Sequence, residues 1–402
     1  MTATAESVGL SSERLGNIKA KFQGYVDNNQ APGFVILIAR KGEIAYYETI
    51  GYSDLESQTP VEKDTIFRIY SMTKPITSVA LMTLYEQGKF HLSDPVSKYI
   101  PAFGKTKVLK RRSNGKTKLV AQESPMTIQN VLTHTAGLTY ELAHDNPDPD
   151  KEAKRAALFN DETMTLQDKI KEIAKLPLIC QPGSEWTYGI ATDVCGYLVE
   201  ELSGMPFDTY LQEKIFTPLG MDDTAFHVAD EKSDRLATLY AHNLETGDLQ
   251  VHEDTGNLQR DFRVPTKSPF GGHGLTSTTK DYWTFTQMML NKGEYEGARI
   301  LGRKTVDYMS MNHLKGELLP YKHGGELQLG LGFGLGFAVV EDPAQAGVIS
   351  SVGTYYWGGA AATGFWIDPQ EELVAVIMTQ IRDCNLPLGD DLRTVTYQAL
   401  ID

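Results

Sequence analysis

Apolar positions along this chain keep two rhythms in succession. From Leu10 to Asn29 they recur at helical spacing, and from Gly33 to Ala39 and Ile44 to Tyr52 they form two β-prone runs either side of Lys41-Gly42. The pattern predicts a helix and then an antiparallel hairpin. The stretch up to about residue 270 has helical candidates at Ile128 to Thr133, Leu166 to Leu176, Ala191 to Leu202 and Phe207 to Ile215. Polar loops separate them, among them Asp145-Asn146-Pro147-Asp148-Pro149-Asp150, too rich in proline and charge for regular structure. Strand candidates return at Phe333 to Val340, Gly347 to Gly353, Ala361 to Ile367 and Leu373 to Met378, before a last helix near Leu388 to Leu400. A sheet supplied by both chain ends predicts an α/β domain of residues 1–90 and 270–402, a helical domain of residues 91–269, and a ligand cleft between them. The run Gly330-x-Gly332-x-Gly334-x-Gly336 lacks the spacing of a dinucleotide loop and reads as the glycine-rich start of a strand.

One predicted helix departs from the amphipathic pattern. Ile76, Val79, Ala80, Leu81, Met82, Leu84 and Tyr85 make it apolar nearly all round, so it is expected to be buried, yet Lys74 stands at its start. Pro75 fits only in a first helical turn, which places Ser71 at the helix N-terminus, where the helix dipole favours developing negative charge. A serine hydroxyl becomes a nucleophile when a neighbouring base takes its proton, and a lysine three residues on lies within reach. The Ser-x-x-Lys tetrad occurs three times, as Ser71/Lys74, Ser113/Lys116 and Ser277/Lys280. Ser113 lies beside Asn114-Gly115, a hairpin-turn signal, and Ser277 precedes a periodic apolar run as a helix-capping residue would. Taken alone, the tetrad favours the plainer reading, Ser71 as a cap and Lys74 reaching to water.

Composition narrows the chemistry. The chain has 402 residues, 41% hydrophobic and 22% charged, with 38 Lys plus Arg against 52 Asp plus Glu, a net charge of −14. That balance opposes association with nucleic acid or an anionic membrane and favours a small-molecule substrate. The basic cluster between Lys105 and Lys118 reads as a solvated hairpin. The N-terminal residues show no charged start followed by an apolar core, and no apolar run approaches the roughly 20 residues of a membrane span, so a cytoplasmic location is expected. Cys180, Cys195 and Cys384 form no metal-ligand spacing or disulfide framework, and the scattered histidines include no HExxH and no Gly-x-Ser-x-Gly elbow. No metal or cofactor is expected, and His134 and His273 read as structural.

Two further segments carry reactive groups. Pro182-Gly183-Ser184-Glu185-Trp186-Thr187-Tyr188 leads into an amphipathic helix. Tyr188, with an ordinary pKa near ~10, serves as a base only beside a cation such as Lys74. In Tyr356-Trp357-Gly358-Gly359-Ala360, two glycines before a strand let a backbone approach a ligand, or simply turn the chain.

The set Ser71-Met72-Thr73-Lys74, Tyr188 and Trp357-Gly358-Gly359, in this order, resembles the three boxes of the serine β-lactamase and penicillin-binding-protein superfamily. Within it the chain looks like class C β-lactamases and, more closely, the family VIII carboxylesterases, whose third box is Trp-Gly-Gly. The segments Leu132 to Leu138 and Gly271 to Leu275 resemble recurring family segments, and the likeness runs from about residue 10 to 400. The resemblance implies a β-lactamase-like α/β fold, an antiparallel sheet flanked by helices. It also implies Ser71 as an acylated nucleophile, Lys74 and Tyr188 as the groups that move its proton, and the Ser71 and Ala360 N–H groups as an oxyanion hole shaped by Gly358 and Gly359.

The departures are equally informative. β-Lactamases carry Tyr-x-Asn in the second box and Lys-Thr-Gly in the third, whereas this chain has Ile190 and Trp357 there. The amide and the fixed cation that would hold a β-lactam are replaced by apolar groups suited to a neutral acyl ester. The expected function is therefore a serine carboxylesterase for short-chain esters. Alternatives are a β-lactamase or D-amino acid peptidase, an acyltransferase of the same architecture, or a binding module without turnover. Oligomeric state is not legible.

Overall fold

The computed structural model describes residues 4–111, 117–140, 157–243, 246–252 and 260–402. The predicted Asp145 to Asp150 loop and the Ser113/Lys116 turn lie outside these residues. Helix α1 (Ser12–Asp27) starts where the Ser11 side chain accepts the Arg14 N–H, and it buries Leu15, Ile18, Phe22 and Tyr25 at helical spacing. Strands β1 (Gly33–Arg40) and β2 (Glu43–Asp54) form the predicted hairpin, and β3 (Thr59–Pro60) extends its edge. The late strands are β4 (Leu331–Phe333), β5 (Ala338–Val340), β6 (Tyr355–Gly358), β7 (Gly364–Asp368) and β8 (Leu373–Met378).

Together they make one eight-stranded sheet in the order β4-β5-β6-β7-β8-β1-β2-β3. The chain ends meet at β1 and β8, antiparallel from Val35 opposite Met378 to Arg40 opposite Leu373. Every residue of β1 is buried because both faces of the sheet are covered. Phe34, Ile36 and Ile38 point towards α1 and the C-terminal helix, whereas Val35, Leu37 and Ala39 point into the larger core. A continuous apolar run is the expected signature of such a strand.

Helices α2 (Thr73–Glu86), α3 (Ile128–Leu132), α4 (Leu166–Ile173), α5 (Ala191–Ser203), α6 (Phe207–Leu211), α7 (Thr279–Leu290) and α8 (Leu388–Tyr397) fall close to the predicted segments. α2 is buried from Thr73 to Leu84 and packs against α5. No helix among the described residues is long and apolar enough to cross a membrane.

Three late segments differ from expectation. Phe333 to Val340 is two strands, reversed where the Gly334 N–H donates to Phe337 O at 2.7 Å. Gly347 to Gly353 contains no strand; it follows the short helix Pro343–Ala346, whose cap is Gly347 in the left-handed region. Tyr355 to Gly358, expected as a turn, is strand β6. Period-two reading fails at all three because glycines hide the alternation and the strands are only three to five residues long.

Candidate active site

Ser71 lies in a 3-10 turn, Tyr70–Met72, that leads straight into α2. The turn is tied down from several sides. Met72 O accepts the Tyr282 hydroxyl at 2.9 Å, and the Ile69 N–H donates to Leu275 O at 3.1 Å. Tyr70 holds a φ of 39°, in the left-handed region that non-glycine residues avoid, so the surrounding contacts impose this geometry. Ser71 makes no side-chain cap to α2, whose N-cap is Met72. Capping therefore does not explain the serine.

One helical turn after Ser71, Lys74 is only 1% exposed. Its Nζ donates to Ser71 Oγ at 3.2 Å, to the Tyr140 hydroxyl at 2.9 Å and to Gly272 O at 2.7 Å. These use all three donors of an ammonium, which a buried charge requires. Tyr188 approaches from the other side: its hydroxyl donates to Ser71 Oγ at 2.7 Å, and Lys74 Nζ stands 4.6 Å from the centre of its ring. Ser71 Oγ thus has two partners able to exchange a proton with it.

The segment Leu132 to Leu138 positions Tyr188. His134 O accepts the Thr187 N–H and Thr135 O accepts the Gly183 N–H, each at 2.7 Å. The His134 ring packs against Trp186, Tyr188 and Phe333. Burial, helped by the Lys74 charge, holds this imidazole well below its ordinary pKa, and the same causes act on His273. Both are neutral structural residues, as the sequence suggested.

The Gly271 to Leu275 loop positions Lys74. Asp193, on α5, accepts the Gly272 N–H at 2.7 Å, so the Gly272 carbonyl is aimed at Lys74. A Cβ at Gly272 would stand 2.8 Å from an Asp193 carboxylate oxygen, which is why the position takes glycine. Burial pushes the Asp193 carboxyl up to about 6, with Lys74 and the Gly272 N–H opposing that rise.

The Trp357-Gly358-Gly359-Ala360 segment ends β6 and turns beside the nucleophile. The Gly359 N–H donates to Thr363 O at 2.8 Å, and a Cβ at Gly359 would meet Ile69 O at 2.5 Å. Only glycine allows this turn to lie against the strand leading to Ser71. A cavity of about 410 Å3 opens above Ser71, walled by Tyr188, Tyr321, His323, Tyr356 and Trp357 and by the Gly358 to Ala360 backbone. Trp357 stacks on His323 with centroids 5.4 Å apart. His323, the one titratable side chain in that wall besides the tyrosines, is held below its ordinary pKa by burial and by Lys74. No lysine or arginine lines the cavity among the described residues.

Ser71, Lys74, Tyr188, Trp357, Gly358, Gly359 and Ala360 thus converge. Ile190 does not join them: it is the N-cap of α5, 3% exposed within the core, and is absent from the cavity wall. Its side chain reaches the packing rather than the ligand space. Sequence reasoning missed Tyr140, Tyr321, Tyr356 and His323. Tyr140 follows the recognisable Leu132 to Leu138 segment and Tyr356 adjoins Trp357, so both were within reach. His323 sits on the small hairpin Lys322–His323 with Glu326–Leu327, and nothing local marks it. Ser277 is buried and shares a 2.8 Å hydrogen bond with Thr224, while Thr278, not Ser277, caps α7.

The beta-lactamase family model matches residues 18–396. Protein Rv1367c of Mycobacterium tuberculosis is 31% identical over 370 residues, spanning 91% of this chain and 90% of its own length. Esterase EstB of Burkholderia gladioli is 28% identical over 409 residues, spanning 98% and 97%. Among solved structures, EstCE1, described as a hydrolase with promiscuous acyltransferase activity, has a TM-score of 0.79 at 27% identity and covers 98% of this chain and 99% of its own. The chain belongs to the beta-lactamase family, as a serine hydrolase or acyltransferase of that fold.

Proposed function

We propose that this protein is a carboxylesterase that cleaves short-chain acyl esters through an acyl-enzyme at Ser71. The observation that carries the reading is Ser71 Oγ, 2.7 Å from the Tyr188 hydroxyl and 3.2 Å from Lys74 Nζ at the base of an aromatic cavity. In the reactive form the Tyr188 and Lys74 pair holds one proton fewer than tyrosine plus ammonium, and Ser71 Oγ attacks the ester carbonyl carbon while its proton passes to that pair. The oxyanion forms against the Ser71 and Ala360 N–H groups, where one donor is worth roughly 3 kcal/mol. The C–O bond breaks, the alcohol leaves with the proton the pair had taken, and the acyl group stays on Ser71. Water then attacks that ester, giving a proton to the same pair, and as the tetrahedral intermediate collapses to the carboxylic acid the pair returns that proton to the departing Ser71 Oγ.

The cavity wall supports the substrate class. Trp357 and the neutral His323 offer stacked apolar faces where a β-lactam carboxylate would need a cation, so neutral esters are favoured over anionic β-lactams. The likeness to Esterase EstB agrees with this choice. The decisive measurement is turnover of p-nitrophenyl acetate and butyrate by the wild-type protein and by Ser71→Ala, with nitrocefin alongside. Ester turnover that survives Ser71→Ala, or nitrocefin turnover that matches it, defeats the proposal.

A second reading, acyl transfer to an alcohol in place of water, uses the same acyl-enzyme and is favoured by the description of EstCE1. Competing alcohols added during ester turnover distinguish the two by whether transfer products accumulate.

A further inference from the structure

A second cavity, of about 340 Å3, lies between β6, β7 and α8 on the sheet face that carries the smaller core, and shares Tyr356, Trp357 and Gly358 with the wall of the cavity above Ser71. Trp366, Ile377 and Leu388 belong to the smaller core on that face, with Tyr356 and Leu386 packed against it. Arg393 reaches into the cavity from α8 and is 7% exposed. Its guanidinium carbon lies 4.9 Å from the centre of the Tyr356 ring and 4.7 Å from that of Trp366, the cross-strand partner of Tyr356, so the group lies over two neighbouring aromatic rings.

Asp390, Asp368, Tyr397 and Tyr356 lie near enough for their charges to act on it, yet one donor stays open. Nη1 is buried and has no hydrogen-bond partner, and Arg393 makes no ion pair with any described residue. The Asp368 carboxylate, whose field it feels, is committed to the Ser351, Gln370 and Glu371 N–H groups and the Tyr397 hydroxyl. Asp390, one helical turn back on α8, borders the cavity without an ion pair to Arg393. A buried guanidinium is unfavourable unless an anion or acceptor meets its donors. Held over the two rings, it presents a fork suited to a carboxylate.

We propose that this cavity is a binding site for a small monocarboxylate with an apolar body. The carboxylate takes the Arg393 fork and the hydrocarbon lies over Trp366, Ile377 and Leu388. A single guanidinium beside Asp390 matches one negative charge and disfavours a phosphate dianion, and the apolar wall disfavours a fully polar ligand. The site shares Tyr356 with the wall of the cavity above Ser71 but uses none of Ser71, Lys74 and Tyr188, so it stands whether or not the ester reading holds.

The test is calorimetric titration of the full-length protein with octanoate and, separately, with octanol. Octanoate is expected to bind a saturable site, at least tenfold more tightly than octanol, and Arg393→Met is expected to weaken it at least tenfold. Gly389→Phe serves as a second variant because it leaves the guanidinium in place. A Cβ at this exposed rim position meets nothing within 4 Å, so the ring can close the mouth without disturbing the core. It too should weaken octanoate at least tenfold. Absence of saturable binding, equal binding of octanol, or octanoate binding unchanged in a folded Arg393→Met or Gly389→Phe protein overturns the proposal.

Discussion

Gly359→Ala is the most searching perturbation of the active-site geometry, because its size can be worked out. The added Cβ would lie 2.5 Å from Ile69 O and closer still to Thr363 Oγ1. The hydroxyl can rotate away, but Ile69 O belongs to the backbone two residues before the nucleophile. Ordinary contact begins at 3.4 Å, so the turn carrying Ala360 must withdraw by about 0.9 Å. A hydrogen-bond donor must stand within ~2.7–3.1 Å of the oxyanion to stabilise it, so a shift of that size removes most of what one donor supplies. The expected loss in kcat is on the order of 10²–10³, about 3–4 kcal/mol of transition-state stabilisation. The assay is steady-state hydrolysis of p-nitrophenyl butyrate, with circular dichroism to confirm folding. Gly364→Ala is the control: it pairs with Gly358 across the hairpin, yet its Cβ meets Ile377 at an ordinary 3.6 Å. Gly359→Ala activity within threefold of wild type would refute the argument that the Gly359 turn holds an oxyanion donor.

Tyr188→Phe and Lys74→Met each remove one of the two groups on Ser71 Oγ, and each should lower kcat by roughly 10²–10⁴ in single-turnover measurements; a variant with unchanged rate is not part of the proton path. Trp357→Ala removes the wall stacked on His323, so activity should shift from acetyl towards longer acyl esters, with acetate kcat/KM down about tenfold across a p-nitrophenyl ester series. His134 and His273 are buried neutral, so the unfolded chain binds protons below pH 6.5 that the folded chain refuses. Stability is complete above that pH and falls below it by up to about 1.4 kcal/mol per pH unit for each histidine. Asp193 acts oppositely: with its carboxyl near about 6, the folded chain takes up a proton first and offsets one histidine below that pH. Urea unfolding at pH 7.0, 6.0 and 5.0 should therefore show the steeper loss just below 6.5 and a shallower one below 6, whereas an equal midpoint throughout would contradict it.

Much of the fold was legible because local patterns and tertiary environment agree. The helix with Leu15, Ile18 and Phe22 on one face, the Gly33 to Tyr52 hairpin and the buried Leu373 to Met378 strand each carry their period or uniform apolarity openly. A sheet supplied by both chain ends was also legible, whereas the pairing of β1 with β8 within it came from the structure. The glycine-rich strands around Phe333 and Trp357 were misjudged because three to five residues cannot display a period and their partners, not their side chains, define them. Ser71, Lys74 and Tyr188 could be singled out as candidates because they stand at or just before helix starts, and the structure brings them together. Ile190 was misplaced because counting from Tyr188 gives a position, not the direction of a side chain at the first turn of α5.

The sequence by itself determined which groups have the chemistry: a serine one helical turn from a lysine, a tyrosine after Pro-Gly, and a Trp-Gly-Gly segment in place of a cationic box. Helical spacing and the steric demands of proline and glycine act locally, so they can be read without coordinates. Only the tertiary structure decided what those groups face. It set the Asp193 to Gly272 to Lys74 chain of hydrogen bonds, brought Tyr140 to the ammonium, and folded His323 over Trp357. It also laid Arg393 over the neighbouring rings of Tyr356 and Trp366. Each of these joins residues about 30 to 200 positions apart, where no local pattern reaches and burial and hydrogen-bond satisfaction select the partner.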